Sequence, residues 1–128
     1  MPAYSFQKQF VQMILDKSKT HTIRRRRKRP TKPRDMLMLY TAMRTKSCKL
    51  IAVTRCVKVE PLVIWVSIRK LSTSFGTGFF ENKKVREIAL SDGFDSVDDF
   101  FDFFKQYKSD TLDDFEIIHW DTDLMVVA

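Results

Sequence analysis

Hydrophobic residues recur at helical spacing near the start of the chain. They lie three and four positions apart, which places them on one face of a helix: Phe6, Phe10, Met13 and Ile14. Ser5 stands where a helix cap is expected, since its hydroxyl can accept a hydrogen bond from a backbone amide of the first turn. We therefore predict a helix that begins after Ser5 and ends near Asp16.

The next hydrophobic runs are shorter and are typical of strands. Residues 36–40 are almost wholly apolar and predict a buried strand. Residues 50–60 alternate, which puts Val53, Val57 and Val59 on one predicted face. Pro61 is expected to interrupt this run, and residues 62–70 to form a further strand. Three such runs separated by loops predict an antiparallel sheet or a small barrel.

The second half of the chain predicts two helices and closing strands. Residues 83–90 are expected to form a short helix, and Ser96 with Asp99 resembles a capping box for another. Behind that cap, one apolar stripe at helical spacing is interpreted as core: Phe100, Phe103, Phe104 and Tyr107. Residues 115–120 predict a late strand, and residues 124–127 an edge strand.

Length and composition are those of one ordinary domain, predicted over residues 1–128. No apolar stretch approaches the roughly 20 residues that span a bilayer, and no leader is recognisable at the N-terminus. The two cysteines, Cys48 and Cys56, form no disulfide framework or metal-binding spacing, which favours a reducing, cytoplasmic setting without a metal or cofactor. Motifs for phosphate-binding loops, dinucleotides and serine hydrolases are missing from the sequence.

Charge is distributed unevenly along the chain. Residues 1–60 hold 16 Lys and Arg against 3 Asp and Glu, whereas residues 61–128 hold 7 against 13. Six consecutive cations, residues 24–29, dominate the basic half, and Pro30 prevents them from continuing as a helix. Such a run meets solvent or an anionic partner, or is neutralised by the acidic half within the fold.

A basic face of this kind indicates binding to RNA, with phosphates as the first contacts. The expected nucleic-acid-binding residues are Arg24, Arg25, Arg26, Arg27, Lys28, Arg29, Arg44 and Lys46. Four aromatic residues are candidates for stacking on bases, although each also suits a core: Tyr40, Trp65, Phe75 and Phe79.

The order of these features resembles the ASCH domain family, whose fold is a PUA-like β-barrel with flanking helices. The matching motifs are Lys19-Thr20-His21-Thr22-Ile23-Arg24, then Ala89-Leu90-Ser91-Asp92-Gly93-Phe94, and a closing strand from Ile117 to Trp120. Members usually have glycine near the positions of Lys17-Ser18 and Arg34. The resemblance covers nearly the whole chain and implies an α+β fold and an RNA or nucleoside ligand.

One branch of very small members hydrolyses the acetyl-amide of 4-acetylcytidine nucleosides. By position, the resemblance implies Lys19, Thr22 and Asp92 as catalytic residues here, with Asp92 standing where that branch has Glu. Thr22 would be the nucleophile, Lys19 its base and Asp92 the acid that protonates the leaving amine. The same residues also suit an edge strand and a capped turn without catalysis.

Three functions therefore remain open on the sequence alone. A binding module predicts salt-sensitive affinity for RNA or a modified nucleoside without turnover. A hydrolase, either the amidohydrolase or a ribonuclease, predicts activity that depends on Lys19 and Thr22. An adaptor predicts instead a protein partner that binds the acidic, Phe-rich half.

Overall fold

The computed structural model describes residues 1–126. Its elements, in chain order, are β1 (Ala3–Phe6), α1 (Lys8–Leu15), β2 (His21–Arg25), β3 (Met36–Thr41), β4 (Lys49–Trp65), β5 (Lys70–Ser72), α2 (Asn82–Ser91), α3 (Val97–Phe104), β6 (Thr111–Trp120) and β7 (Met125–Val126). A single 3-10 turn, Lys105–Tyr107, follows α3. No helix among these residues is long and apolar enough to cross a membrane.

The predicted barrel is wrong. The strands are hydrogen-bonded in the order β1-β3-β4-β6-β2, with β5 and β7 paired to β4. Closure into a barrel would require the two end strands of this order to pair with each other. Among the described residues the sheet is instead open and mixed, since β1 joins β3 in parallel whereas β3 and β4 are antiparallel. The α+β composition agrees with the sequence-based expectation.

The chain divides into two compact units, and three of the four boundaries between them fall within strands. The basic unit comprises residues 1–21, 27–59 and 118–128, of which residues up to 126 are described. The aromatic unit comprises residues 22–26 and 60–117. The prediction of one domain over residues 1–128 stays a prediction.

In the basic unit, the first predicted helix begins later than expected. Ser5 lies in β1, where Ala3 pairs with Met38, so it cannot cap a helix. The helix α1 instead begins at Lys8. The predicted apolar face is confirmed from Phe10 onward, because Phe10 and Ile14 are buried. A strand of four residues gives too short a pattern to compete with the helical spacing that follows it.

Strand β3 confirms the strand predicted for residues 36–40, but β4 turns the opposite face inward. Ala52, Thr54 and Cys56 are buried, whereas Val57 is half exposed. Side chains of a strand alternate between its two faces. A choice of the inward face from apolar character alone is therefore wrong here, because the face with Thr54 and Cys56 is the buried one. Burial of Thr54 is compensated by a hydrogen bond from its hydroxyl to the backbone oxygen of Asp121, at 2.7 Å.

Pro61 does not interrupt β4. It lies between the segment paired with β3, residues 49–55, and the segment paired with β5, residues 63–65. Its missing N–H therefore removes no hydrogen bond from the ladder with β3 or from the ladder with β5. The strand ends at Trp65 rather than at residue 70, and Ile68, which the predicted strand included, is exposed in the following turn.

The aromatic unit is built around α3. Ser96 caps this helix as predicted, since its hydroxyl accepts a hydrogen bond from the Asp99 amide at 3.1 Å. The buried ring face consists of Phe100, Phe101 and Phe104, whereas Phe103 of the predicted stripe is only partly buried. Helix α2 confirms the helix predicted for residues 83–90.

Strand β6 confirms the predicted late strand and extends it toward the N-terminus, to Thr111. Phe115 on this strand packs edge-to-face on Phe104, with ring centroids 5.7 Å apart. The predicted edge strand at residues 124–127 is present as β7, but Val127 lies outside the described residues.

Candidate nucleic-acid interface

The cationic run at residues 24–29 is divided between the two units, and its two parts have different surroundings. Residues 24–26 belong to the aromatic unit and residues 27–29 to the basic unit. The division matters because a cation that already has a carboxylate partner gains less from binding a phosphate. The sequence-based hypothesis gave all six cations the same role.

Arg25 and Arg26 are paired with acids of β6. The Nε atom of Arg25 lies 3.2 Å from Asp114, and that of Arg26 lies 3.4 Å from Glu116. The backbone N–H of Arg26 also donates to the Asp114 carbonyl oxygen at 2.7 Å. Within the aromatic unit these two cations are largely neutralised, as the alternative interpretation of the charge pattern expected.

Arg25 also stacks on aromatic rings. Its guanidinium carbon lies 4.9 Å from the ring centroid of Tyr107 and 5.5 Å from that of Phe115. These distances are within the range of cation–π attraction. Together with the ion pair to Asp114, these ring contacts hold the Arg25 side chain against the aromatic unit.

Arg27 is positioned by the basic unit. Its Nη2 donates to the carbonyl oxygen of Ala3, and its guanidinium lies 4.1 Å from the ring centroid of Tyr4. Tyr4 is itself buried and shares a 2.5 Å hydrogen bond with the hydroxyl of Thr31, which is also buried. Residues 27–31 are therefore anchored to β1 at two points.

Lys28 and Arg29 complete the run and are exposed. Neither has an ion-pair partner among residues 1–126. Arg44 and Lys46, the other expected phosphate contacts, are exposed on the loop between β3 and β4. These four cations keep the solvent access that the sequence-based hypothesis requires.

A cleft of about 490 Å³ opens within the basic unit beside this segment. Its lining combines three arginines, one acid and apolar side chains: Arg27, Arg29, Arg34, Asp35, Met1, Pro2, Pro30 and Met36. The volume lies within the usual range for small-molecule sites. Three arginine residues therefore line one cleft of the basic unit.

The backbone that carries Arg34 is held firmly. Its N–H donates to the Cys56 carbonyl oxygen at 2.8 Å, and the Cys56 N–H donates to the Asp35 carbonyl oxygen at the same distance. The Asp35 carboxylate accepts a hydrogen bond from the Lys32 amide at 2.9 Å. Arg34 has a φ of 79°, a left-handed conformation that costs a non-glycine residue roughly 1 kcal/mol or more.

Sequence reasoning did not include Arg34 or Tyr4 among the functional residues. The signal for Arg34 was present, because the resemblance expected glycine at this position. A glycine position is one where φ is often positive, and an arginine there accepts strain. No comparable signal marks Tyr4, whose ring contact with Arg27 depends on the tertiary structure.

The three implied catalytic residues are all buried polar groups, with Lys19, Thr22 and Asp92 between 3% and 6% exposed. Lys19 lies in the basic unit, where its Nζ is 5.2 Å from the ring centroid of Phe10 and 5.9 Å from that of Phe6. A neutral lysine, which a general base must be, would lose this cation–π attraction.

Thr22 and Asp92 lie in the aromatic unit. The hydroxyl oxygen of Thr22 accepts a hydrogen bond from Nε of Arg24 at 2.9 Å. Asp92 ends α2, where its N–H donates to the Ile88 carbonyl oxygen at 2.9 Å, and Gly93 follows with a φ of 108°. Asp92 thus occupies the capped turn that the sequence offered as the alternative to catalysis.

Three of the four stacking candidates form one cluster in the aromatic unit. The rings of Phe75 and Phe79 lie edge-on to Trp65, at centroid distances of 5.3 and 5.5 Å. Both phenylalanines are about half exposed. Tyr40 is partly buried on β3 in the basic unit. The cluster offers exposed ring surface, but its rings already pack on one another.

The two histidines lie together in the basic unit, with ring centroids of His21 and His119 5.6 Å apart. His21 is buried, and His119 is a residue of β6. Among residues 1–126, no group of three or more potential ligand side chains is arranged to hold a metal ion.

Comparison with known proteins adds no assignment to this geometry. No protein-family model matches the chain, and no curated protein matches it.

Proposed function

We propose that the protein binds single-stranded RNA through the cations of the basic unit. The observation that carries this proposal is the partition of charge between the units. The basic unit holds 13 Lys and Arg against 4 Asp and Glu, whereas the aromatic unit holds 10 against 12. The whole positive excess therefore belongs to one unit, and nucleic-acid phosphates are the polyanions that such an excess attracts.

Order in the cationic segment also supports RNA binding. Anchoring of Arg27 and Thr31 to Tyr4 reduces the conformational entropy that residues 27–31 would lose on binding. Lys28 and Arg29 stand between these anchors with their side chains exposed. The arrangement suits contact with a phosphate backbone, which needs positioned cations rather than base-specific groups.

The test compares two triple variants that remove the same charge. Lys28→Ala/Arg29→Ala/Arg34→Ala changes the basic unit, and Lys83→Ala/Lys84→Ala/Arg86→Ala removes three exposed cations from α2. Binding to mixed-sequence single-stranded RNA is followed by fluorescence anisotropy between 50 and 300 mM salt. Removal of each cation that binds a phosphate should flatten the log–log salt slope by about 0.7.

We expect the first triple variant to flatten the slope by about 2 and the α2 variant to leave it nearly unchanged. Equal effects of the two variants would show that net charge alone drives retention. Absence of RNA binding by the unaltered protein at low salt would reject the proposal. Duplex RNA and single-stranded DNA serve as competitors that define the preferred polymer.

The second candidate function is amide hydrolysis of 4-acetylcytidine-type nucleosides, within the family that the sequence resembles. Burial of Lys19, Thr22 and Asp92 favours it, because a fold seldom buries such polar side chains without a structural or chemical use. Thr22 would lose its hydroxyl proton to a general base, attack the acetyl carbonyl and transiently hold the acetyl group as an ester. The cytidine amine would leave with a proton from Asp92, and water would release acetate.

Release of cytidine from 4-acetylcytidine, followed by chromatography, tests this second function. Turnover should be abolished in Thr22→Ala, retained in Thr20→Ala and partly restored in Thr22→Ser, which keeps the hydroxyl. Unchanged turnover in both Thr22→Ala and Lys19→Ala would remove these residues from any mechanism. Complete absence of turnover by the unaltered protein would leave RNA binding as the proposed function.

A further inference from the structure

We propose that the cleft lined by Arg27, Arg29 and Arg34 is a site for one nucleotide bearing a terminal phosphate monoester. The nucleotide is either free or the phosphorylated end of an RNA strand. The inference deepens the proposed function, on which it rests, by naming the chemical group that the basic unit recognises. Four properties of the cleft support it: its charge, its order, its apolar lining and the strain at Arg34.

The charge of the lining matches a phosphate monoester. Three guanidinium groups and the carboxylate of Asp35 leave an excess of two positive charges. A phosphate monoester carries between about 1.5 and 2 negative charges at neutral pH, since its second pKa is near 6. An internal phosphodiester carries one. Guanidinium groups also present paired N–H donors that fit phosphate oxygens.

The order of the cleft favours binding of a defined ligand. Arg27 is fixed by Ala3 and Tyr4, and the backbone of Arg34 is fixed by Cys56. The carboxylate of Asp35, which would repel an anion, accepts a hydrogen bond from the Lys32 amide. The side chain of Arg27 and the backbone of Arg34 therefore need little reorganisation when an anion enters.

Size and lining extend the site beyond a lone phosphate. About 490 Å³ is more than a phosphate ion fills, since a water molecule occupies about 30 Å³ of liquid volume. Met36, Pro2 and Pro30 supply apolar surface beside the arginines. A nucleotide matches this lining, because its phosphate is anionic and its base has apolar faces.

Backbone strain at Arg34 points to the same cleft independently. A residue held in a left-handed conformation is destabilising unless it is glycine, and such outliers cluster at functional sites. Arg34 combines this conformation with a place in the cleft lining. Arg69, with a φ of 55°, shares the residue type, the exposure and the conformation but lies in the aromatic unit and does not line the cleft. It is therefore the matched control.

The experiment measures binding of AMP, adenosine and inorganic phosphate to the full chain by calorimetry. AMP should bind at least about 10-fold more tightly than either adenosine or inorganic phosphate. Arg34→Ala should weaken AMP binding by about 10- to 100-fold, the range for removal of a charge-assisted hydrogen bond, with partial recovery in Arg34→Lys. Arg69→Ala should change the affinity by less than about twofold.

Two glycine variants separate strain from function. Arg34→Gly and Arg69→Gly should both raise the thermal midpoint, because each removes a left-handed arginine. Only Arg34→Gly should also weaken AMP binding. Equal AMP affinities of the two glycine variants would overturn the assignment of Arg34.

The RNA arm compares one oligonucleotide with and without a 5′-phosphate. Tighter binding of the phosphorylated strand, abolished in Arg34→Ala, would support recognition of a strand end. AMP binding without RNA retention would reject the proposed function but support the cleft as a free-nucleotide site. RNA retention that ignores both the 5′-phosphate and added AMP would overturn the cleft inference and leave RNA binding in place. If inorganic phosphate displaced the phosphorylated strand as effectively as AMP does, the nucleotide assignment would be overturned.

Discussion

The aromatic unit and the basic unit differ in their cores and in how their charges are compensated. The aromatic unit buries a contiguous set of phenylalanines and pairs its surface charges, as with Arg69 and Asp98 at 2.5 Å. The basic unit has a large excess of cations. Among the described residues, four of the six non-glycine residues with a positive φ lie in the basic unit (Lys17, Arg34, Ala42 and Arg44), and Arg69 and Lys108 lie in the aromatic unit. A charge excess opposes folding through self-repulsion. The basic unit therefore gives up stability to cations without acidic partners, and the proposed ligands bind there.

The largest expected effect comes from the core of the aromatic unit. Phe104 is 1% exposed and packs against Phe100, Phe103 and Phe115. Phe104→Ala should lower the free energy of unfolding by about 3–5 kcal/mol, because it leaves a cavity that the surrounding rings cannot fill. Denaturant titration measures this decrease. Ile68→Ala, at an exposed position, is the control and should change it by less than about 0.5 kcal/mol.

The same experiment can show whether both units depend on this core. Trp65 belongs to the aromatic unit and Trp120 to the basic unit, and they are the chain's two tryptophans. Phe104→Ala is therefore combined with Trp120→Phe or with Trp65→Phe. If the fluorescence of Trp65 reported a large decrease in the free energy of unfolding and that of Trp120 did not, the two units would unfold independently. A decrease below about 1 kcal/mol from both reporters would contradict the assigned role of Phe104.

A smaller effect of opposite sign is expected in the basic unit. Lys17 follows the end of α1 with a φ of 69°, the position and conformation where glycine is preferred. Lys17→Gly should stabilise the protein by about 1 kcal/mol. Lys17→Ala removes the same charge but keeps the strain, so it should give no such gain. Equal midpoints for the two variants in thermal unfolding would attribute any change to charge instead.

The smallest expected effects concern two carboxylates, one in each unit. A hydrogen bond from the Lys105 side chain lowers the pKa of Asp102, with the charges of Lys105 and Arg69 adding to it. Hydrogen bonds from the side chain and backbone of Ser18 lower the pKa of Asp16. Because each folded-state pKa is lower than the unfolded one, each contribution to stability is present above the unfolded pKa. It disappears as pH falls through the folded pKa.

Carboxyl chemical shifts followed by NMR from pH 6 to pH 2 measure both groups. Lys105→Met should raise the pKa of Asp102 and leave that of Asp16 unchanged, and Ser18→Ala should do the reverse. If either variant changed the pKa of both carboxyls, general surface charge rather than the local hydrogen bond would set these pKa values.

Local patterns predicted much of the secondary structure. The Ser96 cap, helix α2 and strand β3 follow from signals contained within a few consecutive residues. Failures occurred where a distant partner decided the outcome. Ser5 joins a strand because β3 pairs with it, and Pro61 lies in a continuous strand, outside the segments of β4 that pair with β3 and with β5.

The candidate site was predictable only in part. The sequence located the cationic run and the exposed Arg44 and Lys46, because charge cannot be buried without partners. It could not tell Arg25, which has Asp114 beside it, from Arg29, which has no ion-pair partner in the described part of the chain. Charge along a chain does not reveal which acids another strand will bring near.

The sequence by itself determined the excess of positive charge, the phenylalanine-rich core and the helices, because composition and short-range periodicity encode these properties. Tertiary structure alone decided that the sheet stays open among the described strands, that β4 turns Thr54 and Cys56 inward, and that Arg34 joins Arg27 and Arg29 around one cleft. The physical reason is the same in each case. Strand pairing and side-chain convergence join residues far apart in the chain, and their energies depend on partners that no local pattern contains.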